Sequence, residues 1–334
     1  MTYAFFIGCK IPFYVPHYET AARTVCGELG IGLKDIEFNC CGYPMRHLDF
    51  VSALLAAARN LALAEKESLD LVTPCKCCFG SFRHAIHDLK DDPALMKTIN
   101  SKLAEEGLSY KGQARVRHLL QVLHEEIGVD KLKERVTKPF YGLKAALIYG
   151  CHALRPSNIT RFDDPLSPTL FDDLVKATGA TSLDWEGKLQ CCGGPLIQKN
   201  EDLSLSLALG RLGEAKAAGA DYLTIGCTYT QMQMEKGLAE LKGSAGTGSL
   251  KGSLVYPQLL GLALGSPRRG WGWPIRTWTW PPWPSSRSRP RNRKRSPRKR
   301  RRRSRRRNRP RPPKRRPVRI RRNRINLSGD YPGL

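Results

Sequence analysis

The sequence predicts an α/β fold. Two cysteine-rich halves of the same plan are joined by a helical insertion and followed by a disordered basic C-terminal tail. Three observations predict this fold. A cysteine signature occurs twice in the same order, short apolar runs lead into cysteines in both halves, and apolar residues at helical spacing separate these runs. The segments are 1–90 for the first half, 91–140 for the insertion, 141–262 for the second half and 266–334 for the tail.

Nine of the 11 cysteines form the repeated signature. The first set is Cys9, Cys40, Cys41, Cys75 and Cys78, and the second set is Cys151, Cys191, Cys192 and Cys227. Between the first cysteine and the adjacent pair lie 30 residues in the first half and 39 in the second. Between the pair and the next cysteine lie 33 residues in the first half and 34 in the second. Because the order recurs at similar spacing, we interpret the chain as an internal duplication.

Each half is predicted to alternate short strands with helices. Apolar runs end at the first cysteine and before the last cysteine group of each half, and their length and Gly or Pro boundaries are typical of buried strands. Helices are predicted over 18–30, 50–66, 164–179 and 203–218, with one or two more within 93–127. Ser167 is the expected N-cap and Gly179 the expected end of the third of these helices. Since the carboxyl ends of parallel strands meet in one crevice, we expect the cysteines to converge there.

The adjacent cysteines need a tight turn before both thiolates can serve one metal centre, because neighbouring side chains of an extended segment point apart. Gly42 and Pro44 supply this turn in the first half, and Gly193, Gly194 and Pro195 supply it in the second. Five thiolates in the first half exceed the four that a tetrahedral zinc ion or an iron–sulfur cubane needs. The set therefore predicts a soft-metal site, an iron–sulfur cluster of an unusual type.

The repeated Cys…Cys-Cys-Gly…Cys-x-x-Cys pattern resembles the CCG domains of the heterodisulfide reductase B subunit. The stretches Tyr149-Gly150-Cys151-His152 and Leu154-Arg155-Pro156 also resemble that family. The resemblance covers about residues 1–262. It implies two noncubane iron–sulfur clusters, each held by five cysteines, and a substrate disulfide cleaved between them in one-electron steps.

The same resemblance implies an iron–sulfur catalytic subunit of a heterodisulfide-reductase-type oxidoreductase, which cleaves or forms a disulfide or related sulfur bond. Its implied partners are a ferredoxin-like iron–sulfur subunit, a flavin-containing subunit and a disulfide or sulfur-carrier substrate. A divergent branch, the heterodisulfide-reductase-like complexes of sulfur oxidisers, would run the reaction in the oxidative direction.

The chain departs from the family pattern at Thr230, which stands where the second Cys-x-x-Cys motif would end in cysteine. Four thiolates remain in the second half, the number that an ordinary cubane needs. We therefore expect a noncubane [4Fe–4S] cluster on the first set and a [4Fe–4S] cluster, with a cubane as one option, on the second. The lost ligand leaves a noncatalytic electron-transfer or scaffold subunit as the alternative.

The sequence gives weaker evidence for a functional role of the remaining cysteines and of the histidines. Cys77 lies between Cys75 and Cys78 and could substitute for either as a ligand, whereas Cys26 falls in a predicted helix and is expected in the core. The histidines near cysteines would suit proton donation to a leaving thiolate, with a surface or capping role as the alternative. These histidines are His17, His47 and His152, and those expected to be solvated are His84, His87, His118 and His124. No catalytic residue is predicted beyond the ligands of the first cluster.

Charge separates the tail from the rest of the chain. The net charge is +26, but residues 266–334 hold 27 Lys and Arg and one acid, which leaves 29 residues of each sign in 1–265. The neutral part lacks the excess of basic residues that is typical of a nucleic-acid binder. The arginine-rich tail cannot pack into a core. The tail fits a nucleic-acid or anionic-membrane arm, a solvated extension, or out-of-frame translation of a GC-rich gene. We favour the last and expect no nucleic-acid partner.

Cysteine usage and hydropathy indicate the compartment. The chain has no apolar run of 18 residues and no leader-like start, so neither a membrane span nor secretion is expected. Eleven cysteines in such a chain predict metal ligation in the reducing cytoplasm in place of disulfides.

Overall fold

A computed structural model of the chain describes residues 1–197, 199–244 and 250–266. The strands are β1 Thr2–Phe5, β2 Gly32–Lys34, β3 Leu71–Thr73, β4 Val116–His118, β5 Lys144–Ile148, β6 Thr181–Leu183, β7 Tyr222–Ile225 and β8 Gly252–Val255. The helices before β5 are α1 Ile11–Tyr14, α2 Pro16–Glu28, α3 Phe50–Lys66, α4 Lys76–Asp91, α5 Pro93–Leu103, α6 Leu119–Gln121 and α7 Val129–Arg135. Those after it are α8 Cys151–Leu154, α9 Ser157–Thr160, α10 Leu170–Ala177, α11 Glu201–Ala217, α12 Thr228–Ser244 and α13 Tyr256–Leu264.

The strands form two four-stranded parallel sheets with the same order. The first sheet runs β2-β1-β3-β4 and the second β6-β5-β7-β8. Phe5 of β1 lies opposite Val72 of β3, and Ile148 of β5 lies opposite Ile225 of β7. The repeated topology confirms the predicted α/β fold of two duplicated halves, in which the two central strands of each sheet are buried apolar runs.

The segment between the halves contains helices, a loop over 107–115 and one strand. Val116–His118 was expected within a helix, but these residues pair in parallel with β3 and form β4. The expectation was wrong because a three-residue strand gives no periodicity of its own, and the open edge of β3 offered unpaired backbone groups. The insertion thus completes the first sheet, as β8 completes the second. The boundaries of the four predicted segments remain predictions.

The two long helices after the cysteine pairs are close to their expected positions. Both helices begin with a side-chain N-cap. At the start of α3 the Asp49 carboxylate accepts a hydrogen bond from the Ser52 amide, and at the start of α11 the Asn200 side chain accepts one from the Leu203 amide. Leu61 of α3 is fully buried in the apolar core. These caps fix where each helix starts, and hence where the preceding cysteine pair lies.

The helix α10 is shorter than expected. Asp164 accepts hydrogen bonds from the Leu166 and Ser167 amides in a turn, and Thr169 is the N-cap in place of Ser167. Asp163 accepts from the Thr169 amide and holds the start of the helix. The aspartates therefore build a turn where helix was predicted.

The two halves share one apolar core in the described residues. Helix α13 of the second half packs against α2 of the first, and the Thr137 and Lys138 amides donate to the Ala263 carbonyl. No helix within 1–197, 199–244 or 250–266 has the length and apolar character needed to cross a membrane. The predicted disorder of 266–334 falls almost wholly outside the described residues.

Candidate metal centre

The inner strands of both sheets deliver cysteines to the same edge. Cys9 follows β1, Cys75 stands between β3 and α4, Cys151 opens α8 after β5, and Cys227 stands between β7 and α12. All four therefore lie beyond the carboxyl ends of parallel strands, where α/β folds gather their functional groups.

The cysteine pairs are bent toward this edge by glycine turns. Gly42 has φ +81° and Gly193 has φ +80°, and each leads into a short 3₁₀ turn. A methyl group on Gly42 would lie 2.2 Å from the Ala53 carbonyl oxygen, and one on Gly193 would lie 2.4 Å from that of Ser204. Only glycine fits both the backbone angle and the close approach of the following helix.

The five thiols of the first set form a continuous group. The Cys9 and Cys40 Sγ atoms are 3.7 Å apart, Cys41 contacts both Cys40 and Cys78, and Cys78 contacts Cys75. Contact with Cys41 and Cys9 lowers the pKa of Cys40, while contact with Cys40 raises the pKa values of Cys9 and Cys41. These thiols cannot all ionise side by side without a cation, which a soft metal centre supplies.

In the second set, one of these contacts has a counterpart in which threonine replaces cysteine. The Thr230 hydroxyl donates to Cys192 Sγ at 3.3 Å, which is the place that Cys78 takes beside Cys41 in the first half. The Gly194 amide donates to Cys192 Sγ at 3.4 Å. Thr230 therefore stands at the position of the missing ligand, and it contributes a hydrogen bond to the thiol.

Cys77 joins the two sets across the boundary between the halves. Its Sγ lies 3.6 Å from Cys227 Sγ, and the thiols of Cys75, Cys77 and Cys227 all lie within 4.8 Å of one another. Cys26, in contrast, is buried in α2 as expected for a core residue. The predicted site cysteines and Cys77 thus line one crevice, here called the inter-half crevice, in which thiols predominate.

Of the three histidines predicted near the cysteines, His152 lies in the inter-half crevice. Its Nδ1 is 3.2 Å from Cys77 Sγ and its Nε2 is 3.1 Å from the Tyr43 hydroxyl. Burial lowers the pKa of His152, so the imidazole is neutral and carries one N–H. On Nδ1 this N–H would face the Cys77 sulfur, and on Nε2 it would face the Tyr43 hydroxyl. His17 instead lies 3.7 Å from Glu235, and His47 is exposed.

His118 was expected to be solvated, and this expectation was wrong. It ends β4, is fully buried, accepts from the Leu120 amide at Nδ1 and has Nε2 3.2 Å from the Gly226 carbonyl oxygen of the other half. Burial and, next, the charge of Lys76 lower the pKa of His118 to about 3. The other three histidines expected to be solvated, His84, His87 and His124, are partly exposed.

Lys76 is a residue of the site that the sequence did not reveal. It follows Cys75 and is 1% exposed, and its Nζ makes no hydrogen bond in the described structure. The ammonium nitrogen lies 5.2, 5.5 and 4.5 Å from the ring centres of Tyr149, Phe162 and Phe171. Burial lowers the pKa of Lys76 to about 7. Such a cation in an aromatic box stabilises negative charge on the nearby thiolates.

A small cavity lies beside the first set. It is lined by Cys9, Lys10 and Tyr43 from the first half and by Thr228 and Tyr229 from the second. The outer cysteine Cys9 is exposed, so this end of the inter-half crevice is open to solvent.

Comparison with known proteins agrees with this arrangement. The family model described as "CCG: Cysteine-rich domain" matches residues 3–83 and again residues 145–235. The B subunit of the ferredoxin:CoB-CoM heterodisulfide reductase of Methanosarcina mazei is 37% identical over 265 residues, which cover 78% of this chain and 88% of that protein. The chain belongs to the family of heterodisulfide reductase B subunits. A further relative, a protein of Archaeoglobus profundus named as similar to the heterodisulfide reductase B subunit, is 33% identical over 72% of this chain and 83% of its own length.

Another relative at a similar distance has a different name. The "8-methylmenaquinol:fumarate reductase membrane anchor subunit" of Wolinella succinogenes is 35% identical over 81% of this chain and 94% of that protein. A solved structure, "Crystal structure of a hypothetical protein from Helicobacter pylori", has a TM-score of 0.63 and 19% identity, over 80% of this chain and 49% of that one, and supports the fold alone. Family membership thus supports an iron–sulfur subunit of a redox complex, and the many thiols of the crevice fit such a group.

Proposed function

We propose that this chain is the iron–sulfur catalytic subunit of a heterodisulfide-reductase-type oxidoreductase, which cleaves or forms a disulfide or related sulfur bond. The observation that carries the proposal is the meeting of both cysteine sets in one crevice, where Cys75 and Cys227 come from opposite halves yet lie within 4.8 Å at their thiols. Iron–sulfur clusters bound there supply one-electron transfer to sulfur. We propose one cluster on Cys9, Cys40, Cys41, Cys75 and Cys78 and another on Cys151, Cys191, Cys192 and Cys227.

The protein residues around the inter-half crevice would bind the substrate and manage its protons. We propose that the sulfur compound binds at the small cavity beside Cys9, where Tyr43 and Tyr229 form the walls from opposite halves. Cleavage of a disulfide takes two electrons and two protons and gives two thiols. Tyr43 and His152 are hydrogen-bonded to each other at 3.1 Å and lie beside Cys77, so they are placed to supply a proton to a leaving thiolate.

The electrons would come from partner subunits. The sequence has no glycine-rich phosphate loop of its own, and one relative is named for ferredoxin. We propose a ferredoxin-like iron–sulfur subunit and a flavin-containing subunit as partners, and we expect the complex to work in the reducing cytoplasm. In a sulfur-oxidising branch of the family the same site would form a sulfur bond and return the electrons.

A noncatalytic electron-transfer or scaffold subunit is the second candidate. Thr230 favours it, because the hydroxyl beside Cys192 Sγ leaves the second set one thiolate short. In that case the clusters would pass electrons between partners, and no substrate would react in the cavity.

Metal analysis tests whether iron–sulfur clusters are present. Protein purified without oxygen is expected to contain iron and acid-labile sulfide in roughly equal amounts with little zinc. Stoichiometric zinc after anaerobic reconstitution with iron and sulfide would contradict the proposal.

Turnover separates an enzyme from a scaffold. Disulfide reduction driven by a reduced viologen dye is expected for the wild-type chain and for Cys26→Ser, whose thiol lies in the core, and is expected to be lost in Cys41→Ala. A cluster-loaded chain that turns over no disulfide, alone or with its partners, would support the scaffold.

A further inference from the structure

We propose that Cys77 is an additional cluster ligand, donated by the first half to the cysteine set of the second half in place of the ligand missing at Thr230. The inference rests on the proposed iron–sulfur function and adds one residue to its site. It assigns to Cys77 a role that differs from substitution for Cys75 or Cys78.

The start of α4 directs its thiols to two different sides. Cys75 is the N-cap, and Cys77 and Cys78 follow in the first turn, about 100° apart around the helix axis. Cys78 contacts Cys41 of the first set. Cys77 is therefore turned away from Cys41 and lies 3.6 Å from Cys227 Sγ of the second half.

The second set needs a thiolate that its own half does not provide. Thr230 lies beside Cys192 Sγ at 3.3 Å, but a threonine hydroxyl stays protonated at neutral pH and its hard oxygen is a poor ligand for iron–sulfide centres. The first set already has five thiols without Cys77. Cys77 is thus surplus to its own half and in contact with the incomplete one.

The surroundings of Cys77 suit a metal-bound thiolate. His152 is hydrogen-bonded to Cys77, with its Nδ1 3.2 Å from Cys77 Sγ, and its Nε2 lies 3.1 Å from the Tyr43 hydroxyl. A thiolate at Cys77 would accept an N–H on Nδ1, and such bonds orient metal-bound thiolates and adjust the potential of the centre. The thiols of Cys75, Cys77 and Cys227 all lie within 4.8 Å of one another, so Cys77 stands where the two sets meet.

The two rival roles for Cys77 have clear consequences. If it is only a core thiol, replacing it should affect the clusters no more than replacing the buried Cys26 of α2. If it belongs to the first set, the spectrum of the first cluster should change.

The first experiment compares variants of the full chain purified without oxygen. Cys77→Ser is expected to lose or alter the paramagnetic-resonance signal of the second cluster, with iron falling by up to about half. Cys26→Ser is the matched control and should match the wild type. Adding Thr230→Cys to Cys77→Ser should restore the second signal, because position 230 already faces Cys192. Unchanged spectra in Cys77→Ser, or no restoration in the double variant, would overturn the inference.

The second experiment keeps the chemistry at position 77 close to that of the wild type. Selenocysteine enriched in a magnetic selenium isotope at position 77 keeps the size and charge of the thiolate. Hyperfine coupling of this selenium to the second cluster is expected to persist in Cys41→Ala and disappear in Cys192→Ala. Coupling to the first cluster alone, or no coupling, would contradict the inference while leaving the proposed function intact. A wild-type chain without iron and sulfide would overturn both.

Discussion

At the residue scale, two glycines set the positions of the paired cysteines. Gly42 and Gly193 have nearly the same positive φ, and both approach the backbone of the following helix too closely for a side chain. The conformation aligns two adjacent thiols with one crevice, which an extended segment cannot do. The turn is therefore as much a part of the candidate site as the cysteines.

Gly42→Ala is expected to weaken the fold and the first cysteine set. Gly30→Ala is the matched control, since Gly30 has φ +72° but no atom within 4 Å of an added methyl group. Both variants carry the left-handed backbone cost of about 1–2 kcal/mol, and Gly42→Ala adds a 2.2 Å clash with the Ala53 carbonyl oxygen. Urea unfolding and iron content measure the difference. Equal losses in the two variants would show that the clash is relieved at no cost.

His118 is expected to make the fold sensitive to acid. Its folded pKa is about 3, because burial disfavours the charged ring, whereas an unfolded histidine titrates near 6.5. Between these values the unfolded chain binds more protons, so the free energy of unfolding falls as the pH decreases, by about 2 kcal/mol between pH 6.5 and 5. His118→Gln should show a smaller fall in urea unfolding experiments across this range, and His47→Gln, at an exposed position, should behave as the wild type. An acid response of His118→Gln equal to that of the wild type would assign the effect to other groups.

The repeated order of the cysteines is the basis for their prediction as ligands, but the sequence gives no sign of the polar residues around them. Lys76 is enclosed by Tyr149, Phe162 and Phe171, which are distant in sequence and come from the second half. His118 is buried through its contact with the Gly226 carbonyl. Burial of this kind depends on how the two halves pack together, and no local sequence pattern indicates it.

At the element scale, long amphipathic helices were predictable and short elements were not. Helix α3 covers the predicted range, since apolar residues recur through four turns and Asp49 caps it. The strand β4 has three residues and was missed, and the start of α10 was displaced by the turn that Asp164 forms. The choice between strand, turn and helix in such short stretches depends on which backbone partner is available.

Gly80→Ala is expected to separate two elements that carry site residues. A methyl group on Gly80 of α4 would lie 2.4 Å from the carbonyl oxygen of His152 in α8, so the helix would shift and move His152 relative to Cys77. Gly210→Ala in α11 is the control, because nothing lies within 4 Å of its added methyl group and alanine favours helix by up to about 1 kcal/mol. Gly80→Ala should be less stable than the wild type and lose iron, and Gly210→Ala should not. A fully loaded and stable Gly80→Ala protein would show that this contact does not hold the site.

At the scale of the whole molecule, the two halves are completed by residues distant from them in sequence. The first sheet takes its last strand from the segment 91–140, and α13 near the end of the described chain packs on α2 near its start. The Ser266 amide donates to the Gly261 carbonyl, and its hydroxyl contacts Glu28. The contacts that close the fold therefore extend to Ser266, one residue beyond the change in composition after Gly265.

A chain that ends at Ser266 is expected to keep the fold and the metal content of the full chain. The residues up to 265 are formally neutral and contain every cysteine, whereas 27 of the basic residues lie beyond them. A chain that ends at Val255 is the control. It lacks α13, in which eight of nine residues are buried. Removing the side chain of one buried leucine costs about 2–5 kcal/mol and a domain has about 5–15 kcal/mol in total, so this shorter chain should not fold. Thermal unfolding and iron content compare the three chains. If the chain that ends at Ser266 loses stability or iron, residues 267–334 contribute to the fold, and the expectation drawn from the charge distribution is wrong.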